Sequence, residues 1–335
     1  MISYVGLFAL GLLFLIKGGD WFVDGSTGLA QRFHLPDLLI GATVVSIGTT
    51  LPEVMVSATS ALSGHGEIAY GNAIGSIICN TSLIAALTIT LKPGKVDTNT
   101  LRMPVFFFFF SAAFYTTIAV SRGYFSRLTG IALLAVFFVY MIISTKQALD
   151  SDKLQEHLET GASPHDRKEQ ELEEVFRPLG KDIILLVVGA VLIAFGADLL
   201  VDNGTLIAKY MGVPESVIAL TFVALGTSLP ELVTAITSLI KGHSALSLGN
   251  IIGANMFNLI LVSGLSITLS PFELPKQKTL LGINSSLLVD VPLMFFVMIL
   301  LTVPTLIHGK LKRWQGILLL LIYTVFCLYQ FGLIG

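Results

Sequence analysis

The sequence predicts an all-α polytopic membrane protein with ten transmembrane helices in two inverted five-helix repeats. Of its 335 residues, 54% are hydrophobic and only 13% are charged, whereas soluble domains carry about 25% charged residues. Apolar runs of about 20 residues, long enough to cross a bilayer, recur along the chain. An internal duplication, described below, predicts the inversion. The net charge of −2 gives no indication of a nucleic-acid partner.

The apolar runs divide the chain into predicted spans that are joined mostly by short connections. These spans cover residues 3–29, 36–62, 67–91, 103–121, 126–147, 180–208, 214–240, 245–270, 282–304 and 312–333. The first run lacks a basic start and a small-residue cleavage site, so we interpret it as a retained span and not as a signal peptide. A polar linker, 148–179, separates the first repeat, 1–147, from the second, 180–335.

The distribution of basic residues predicts the orientation in the membrane. If the N-terminus is outside, the inside connections hold 14 lysines and arginines and the outside connections hold 5. Cytoplasmic loops of membrane proteins are enriched in these residues. We therefore expect both termini outside and the polar linker in the cytoplasm.

The two halves of the chain are copies of each other at a fixed offset of 178 residues. Between 41–80 and 219–258 there are 16 identities in 40 positions without a gap. Each copy contains an odd number of predicted spans, so the second copy enters the membrane upside down relative to the first. Inverted repeats with interrupted helices are typical of secondary transporters.

A proline followed by a glutamate occurs within an apolar run of each copy, in "GTTLPEV" at Gly48–Val54 and "GTSLPEL" at Gly226–Leu232. Proline frees carbonyl oxygens one turn upstream, and no water is available in lipid to bind them. Glu53 and Glu231 add carboxylates, which are functional candidates inside a membrane. A helix kink with a snorkelling acid would explain one copy, but it explains two equivalent copies poorly. Two carboxylates among oxygen ligands suit a hard divalent cation such as calcium.

A second repeated motif lies in the third and eighth predicted spans, as "GNAIGSIICN" and "GNIIGANMFN". Its small residues allow helices to approach closely. Gly71 and Gly249, which begin the two motifs, can break these helices locally, although such glycines more often serve packing than act as hinges. Asn80 and Asn258, which end them, can offer amide carbonyl oxygens to a cation. Hydrogen bonding between helices is the alternative role for both asparagines.

These doubled motifs resemble the paired α-repeats of the sodium/calcium exchanger family, within the cation/calcium exchanger superfamily. The resemblance extends over essentially the whole chain and is greatest for short prokaryotic members. It implies exchange of sodium against calcium by alternating access, without ATP, across a prokaryotic cytoplasmic membrane. We expect a protein that works as a monomer in the lipid bilayer, has no resident cofactor and transports calcium and sodium ions.

The resemblance also implies roles for individual residues. Glu53 and Glu231 would be calcium ligands that are shared with sodium. The other implied ligands are the backbone oxygens of Thr49 and Thr227 for both ions, the carbonyls of Ser46 and Ala224 for flanking sodium sites, the Ser76 hydroxyl for sodium, and Thr50, Ser228, Asn80 and Asn258 around the central site.

The chain departs from the family pattern at two positions. Ala254 stands where the second repeat often has serine, so one sodium site lacks a side-chain oxygen. The resemblance implies three sodium ions exchanged for one calcium, and this departure makes two for one an alternative. Asn258 stands where some members, including potassium-dependent exchangers, have aspartate, which argues against potassium co-transport.

The sequence is also compatible with other functions. A proton/calcium exchanger, or an exchanger of another divalent cation, with the same fold is the nearest alternative, although the paired asparagines favour sodium. An ion channel needs a continuous pore and usually a ring of subunits, whereas a duplicated site in one chain favours a carrier. An enzyme fits least, because the sequence shows no nucleophile–base pair or metal triad.

Overall fold

The computed structural model describes residues 2–160, 178–211, 226–275, 279–280 and 283–330, and these are mainly helical. We name the helices in chain order as α1 Ile2–Arg32, α2 Asp37–Leu62, α3 Gly66–Leu91, α4 Thr98–Arg122, α5 Arg127–Thr160, α6 Leu179–Tyr210, α7 Leu229–Ile240, α8 Ser244–Leu269, α9 Ser286–His308 and α10 Arg313–Gln330.

Eight helices in the described residues are long and apolar enough to cross a membrane, namely all of these except α7 and α10. Helix α7 has 12 residues, because the described residues 226–228 form a turn and the helix begins only at Leu229; the first part of the predicted seventh span, 214–240, lies outside the described residues. Helix α10 has 18 residues. Helix α5 continues to Thr160 and so enters the predicted polar linker. Many large apolar side chains face outward, for example Leu13, Phe138 and Phe195, which are 55%, 62% and 62% exposed.

Helices α1 and α6 pack closely through glycines. A Cβ atom at Gly11 would lie 2.9 Å from the Gly196 carbonyl oxygen, and one at Gly18 would lie 2.9 Å from the Gly189 carbonyl oxygen. Residue numbers rise along one helix as they fall along the other, so α1 and α6 are antiparallel. The offset of 178 relates Gly11 to Gly189 and Gly18 to Gly196. The two copies therefore contact each other through equivalent positions.

Four helices of the described residues contain a π-helical segment, in which each backbone hydrogen bond spans one residue more than in an α-helix. These segments are Gly41–Val45 in α2, Asn80–Ala85 in α3, Asn258–Val262 in α8 and Ser286–Asp290 in α9. The second and third begin at equivalent positions of the duplication. π-Helical turns often occur at functional sites.

Neither Gly71 nor Gly249 breaks its helix, so the local break that the sequence allowed at these glycines does not occur. Helices α3 and α8 run through both glycines, and their irregular segments begin only at the asparagines that end the motifs. At Gly249 the missing side chain serves helix packing instead, because a Cβ atom there would lie 2.2 Å from the Leu38 carbonyl oxygen of α2. Small residues in membrane helices commonly permit such close approach.

Aromatic packing joins α4, α5 and α8 in the largest hydrophobic cluster. The Tyr140 ring lies 5.3 Å from Phe107 and 5.9 Å from Phe257, measured between ring centroids. Strand β1, Tyr124–Phe125, pairs antiparallel with β2, Phe272–Glu273, and so links the α4–α5 turn to the end of α8. Strands β3, Thr279–Leu280, and β4, Ile283–Asn284, form a second antiparallel pair.

Candidate cation-binding site

Glu53 and Glu231 lie inside the protein at the junction of the two copies. Glu53 follows Pro52 within the continuous helix α2, whereas Glu231 follows Pro230 in the first turn of α7. Both side chains are fully buried, at 0% exposure, and their carboxylates are close enough to interact electrostatically. No carboxylate oxygen of either residue accepts a hydrogen bond from the described residues.

Such a pair is costly unless something balances its charge. A buried carboxylate requires a partner charge or hydrogen-bond donors, and the membrane interior offers no water. The arrangement therefore favours a bound cation, which would balance both carboxylates together.

Hydroxyl groups surround the carboxylates. The Thr49 and Thr50 side chains of α2 lie beside the Glu231 carboxylate, although neither hydrogen-bonds to it. The hydroxyls of Thr50 and Ser228 are buried and have no hydrogen-bond partner among the described residues. The fold thus brings these sequence-predicted residues together with their oxygens free.

Asn80 and Asn258 occupy the first position of the π-helical segments in α3 and α8. Both are fully buried. Neither amide atom of Asn80 has a hydrogen-bond partner in the described part of the chain. The Asn258 amide donates to the Ala254 carbonyl oxygen at 3.1 Å within its own helix, and its Oδ1 has no partner there. Both side-chain oxygens are therefore available to a ligand.

The remaining predicted ligands occupy different surroundings. The Ser46 hydroxyl donates to the carbonyl oxygens of Gly41, at 2.6 Å, and Asn250, at 3.0 Å, so it holds α2 against α8. Ser76 is buried in α3, at 5% exposure. Ala224 lies outside the described residues.

Two asparagines that the sequence did not single out as ligands connect the copies at the site. The Thr49 hydroxyl donates to Asn250 Oδ1 at 3.1 Å, and the Thr227 hydroxyl donates to Asn72 Oδ1 at 3.2 Å. The offset of 178 exchanges these two bonds, so each threonine is held by an amide from the other copy. The repeated Gly-Asn pair in the second motif was the signal that could have identified both residues.

A cavity lies between α1, α2, α6 and α7 next to the two prolines. It is lined by Phe22, Gly48, Thr49, Pro52, Ala190, Ile193, Ala194 and Pro230. The two prolines in its wall precede Glu53 and Glu231 in the sequence, but neither glutamate lines the cavity.

The donor set consists mainly of oxygen. In the described parts of the chain, no three His, Cys, Asp or Glu side chains come together as a metal site would require. The candidate site therefore has two carboxylates and would take its other ligands from hydroxyl, amide and carbonyl oxygens. Hard cations such as calcium prefer such ligands.

Fold and site together define a multi-pass membrane protein with a buried acidic site suited to cations. The sodium/calcium exchanger protein family matches residues 3–146 and 181–332, and the chain belongs to this family. The sodium/calcium exchanger MaX1 of Methanosarcina acetivorans is 29% identical over 349 residues, which cover 96% of this chain and 97% of the relative. The inner membrane protein YrbG of Escherichia coli is 35% identical over 276 residues, which cover 82% of each chain.

A solved structure agrees with the fold along the whole length. The sodium-calcium exchanger NCX_Mj, soaked with 2.5 mM Na⁺ and 0.1 mM Ca²⁺, superposes with a TM-score of 0.77 at 31% sequence identity, over 97% of each chain. Of these three relatives, one is an inner membrane protein by name and two are sodium/calcium exchangers by name.

Proposed function

We propose that the protein is a secondary active antiporter that exchanges sodium for calcium across a prokaryotic cytoplasmic membrane. The observation that carries this proposal is the pair of fully buried carboxylates, Glu53 and Glu231, without hydrogen-bond partners among the described residues. The family match supports the pair of ions. The name of the bacterial relative YrbG supports the inner membrane as the location.

The proposed architecture is ten transmembrane helices in two inverted five-helix repeats, 1–147 and 180–335, joined by a cytoplasmic linker, 148–179. The antiparallel packing of α1 on α6 through equivalent glycines supports the inversion. Both termini are outside, and the protein works as a monomer in the bilayer. Cysteines introduced at Lys168 and Gly335 should therefore be labelled from opposite sides by an impermeant reagent, and labelling of both from one side would contradict this topology.

The ions bind between the two repeats, in our proposal, at the residues described above. Glu53 and Glu231 balance the charge of calcium and, in turn, of sodium. The supporting oxygens come from Ser46, Thr49, Thr50, Ser76, Asn80, Ala224, Thr227, Ser228 and Asn258.

The charge of the site explains how exchange is coupled. One calcium ion neutralises two carboxylates, and sodium ions at the same oxygens do so in its place, so the two ions compete. Reorientation without any cation would keep two unbalanced charges inside the membrane, which costs several kcal/mol. Alternating access therefore proceeds with a loaded site, and each calcium crosses in exchange for sodium.

Radioactive calcium uptake into proteoliposomes tests the proposal when sodium and proton gradients are imposed separately. We expect uptake when sodium is loaded inside and diluted outside, and none with a proton gradient alone. Uptake that follows the proton gradient in the absence of sodium would instead identify a proton/calcium exchanger of the same fold.

A further inference from the structure

Asn72 and Asn250 lie outside the set of proposed ligands, yet each contacts a threonine that belongs to it. Asn72 Oδ1 in α3 accepts a hydrogen bond from the Thr227 hydroxyl, and Asn250 Oδ1 in α8 accepts one from the Thr49 hydroxyl. These bonds cross between the copies, so the two halves of the site hold each other in place.

The opposite ends of the two amides differ. Asn72 Nδ2 donates to Ser57 Oγ at 2.8 Å and to the Glu53 carbonyl oxygen at 3.2 Å. Asn250 is fully buried, and its Nδ2 has no hydrogen-bond partner among the described residues. The offset of 178 places Ala235, which has no hydroxyl, at the position equivalent to Ser57. A buried donor without an acceptor is energetically unfavourable.

We propose that Asn72 and Asn250 are positioning residues for cation binding. We further propose that the bond to Ser57 restrains the Asn72 amide, so that Thr227 is positioned more rigidly by Asn72 than Thr49 is by Asn250. An amide that is bonded at both its oxygen and its nitrogen has a fixed plane, whereas one bonded only at its oxygen can rotate. Each bond fixes the side chain of a threonine whose backbone oxygen is a proposed ligand, and so organises that residue before the ion arrives.

This difference makes the two halves of the site unequal although their sequences are duplicated. Thr227 is hydrogen-bonded to Asn72, and Asn72 is in turn hydrogen-bonded to Ser57 and to the Glu53 carbonyl oxygen. The Thr49 side relies on Asn250 alone, apart from a long contact of 3.4 Å to the Ser46 carbonyl oxygen. A hydroxyl at position 235 would complete the second chain of bonds and would tighten ion binding on that side.

The inference rests on the proposed exchange of sodium and calcium, and the first experiment removes each amide. Asn72→Ala and Asn250→Ala should raise the KM for calcium and for sodium roughly fivefold, the value of one ordinary hydrogen bond. The maximal exchange rate per folded molecule should change less than about twofold on the same reasoning. A fall in maximal rate or in protein yield with unchanged KM values would overturn the positioning role, because it would indicate a purely structural one.

A matched pair of small substitutions tests the difference between the halves. Ser57→Ala should raise the KM for calcium and Ala235→Ser should lower it, each by roughly twofold to fivefold. Both variants are measured by equilibrium binding of radioactive calcium in detergent and by exchange in proteoliposomes. Shifts in the same direction, or no shift, would overturn the inference. A wild type without sodium-dependent flux would overturn the proposed function instead, so the two failures are distinguishable.

Discussion

Glu53 and Glu231 are costly side chains to bury, since each places a carboxyl group in the interior without a hydrogen-bond donor from the described residues. Another buried acid in the fold, by contrast, lies near a basic side chain. Asp182, which is also buried, lies 3.8 Å from the Arg32 guanidinium, between side-chain oxygen and nitrogen. In the described part of the chain, the two glutamates combine full burial with an electrostatic interaction between their carboxylates.

Replacing either glutamate by glutamine should abolish calcium transport. Glu53→Gln or Glu231→Gln leaves a divalent ion with one compensating charge, and breaking a buried charge pair costs about 3–5 kcal/mol. That cost corresponds to a loss of more than about a hundredfold in calcium binding. Radioactive calcium uptake at matched protein amounts measures it, and the exposed Glu67→Gln serves as the control. Uptake near the wild-type level in either glutamate variant would contradict the assignment.

Ala254 should determine how strongly exchange responds to membrane voltage. Three sodium ions against two carboxylates leave the site with one positive charge, whereas two sodium ions or one calcium leave it neutral. Ala254 is fully buried and offers no hydroxyl, so we expect exchange of two sodium ions for one calcium, with flux that ignores voltage. Ala254→Ser should restore voltage dependence and improve sodium affinity roughly fivefold.

Calcium flux in liposomes clamped at different potentials measures this effect. The control is Ser76→Ala, which removes the hydroxyl at the equivalent position of the first repeat. Steep voltage dependence in the wild type, unchanged by the serine, would mean that Ala254 serves only packing.

The sequence singled out the two buried glutamates but not the asparagines that bond to the neighbouring threonines. Two glutamates within apolar runs can be recognised from the sequence, because burying a carboxyl group in a membrane is costly however the helices are arranged. The bonds from Thr49 to Asn250 and from Thr227 to Asn72 depend on side-chain rotamers and on how α2, α3, α7 and α8 meet. The sequence alone does not give rotamers or helix contacts, so it identified these asparagines only as part of a helix-packing motif.

At the scale of helices, boundaries were predictable because bilayer thickness sets the length of an apolar run. The predicted spans 67–91 and 245–270 differ by at most one residue at either end from α3, Gly66–Leu91, and α8, Ser244–Leu269. The π-helical segments were not predicted, because one additional residue in a turn barely disturbs the pattern of a uniformly apolar run. The extension of α5 to Thr160 was also missed, because polar residues outside the bilayer can continue a helix.

Helix packing should make alanine destabilising at Gly249 but tolerated at Gly71, the equivalent glycine of the first copy. A Cβ atom at Gly249 would lie 2.2 Å from the Leu38 carbonyl oxygen, whereas a Cβ atom at Gly71 meets nothing within 4 Å in the described structure. Gly249→Ala should therefore destabilise the protein by about 1–3 kcal/mol through overpacking, and Gly71→Ala should be nearly neutral. Thermal unfolding in detergent, followed by size-exclusion fluorescence, compares the two. Equal effects of both alanines would contradict the asymmetric packing.

At the scale of the whole molecule, the two copies are packed differently. Helix α7 lies against α1, where a Cβ atom at Gly19 would be 2.7 Å from Val233 Cγ1 and 2.9 Å from Thr237 Oγ1. The equivalent face of α2 is not covered in the same way, since Met55 is 63% exposed and Thr59 is also exposed. Under the proposed alternating access, the opposite state exchanges these roles, so that α2 docks on α6 and α7 leaves α1.

An ion pair stabilises only one of these two arrangements. Lys241, at the end of α7, lies 2.8 Å from Asp24 Oδ1 and donates to the Asp20 carbonyl oxygen of α1 at 2.8 Å. The duplication keeps an acid equivalent to Asp24, which is Asp202 on α6, but it places Ser63 where the lysine would be. The opposite state therefore has no matching ion pair, and the present one should be favoured.

Removing this ion pair should shift the protein towards the opposite state. Partly exposed ion pairs contribute up to about 1 kcal/mol, so Lys241→Met should raise the population with α2 on α6 roughly fivefold. Oxidative cross-linking of Thr59→Cys with Ala197→Cys, in a background without the native cysteines, measures that population. Ser63→Lys, which can pair with Asp202, should raise cross-linking as well, and Lys241→Arg should leave it unchanged. If cross-linking is the same in all four backgrounds, the ion pair has no part in the balance between states.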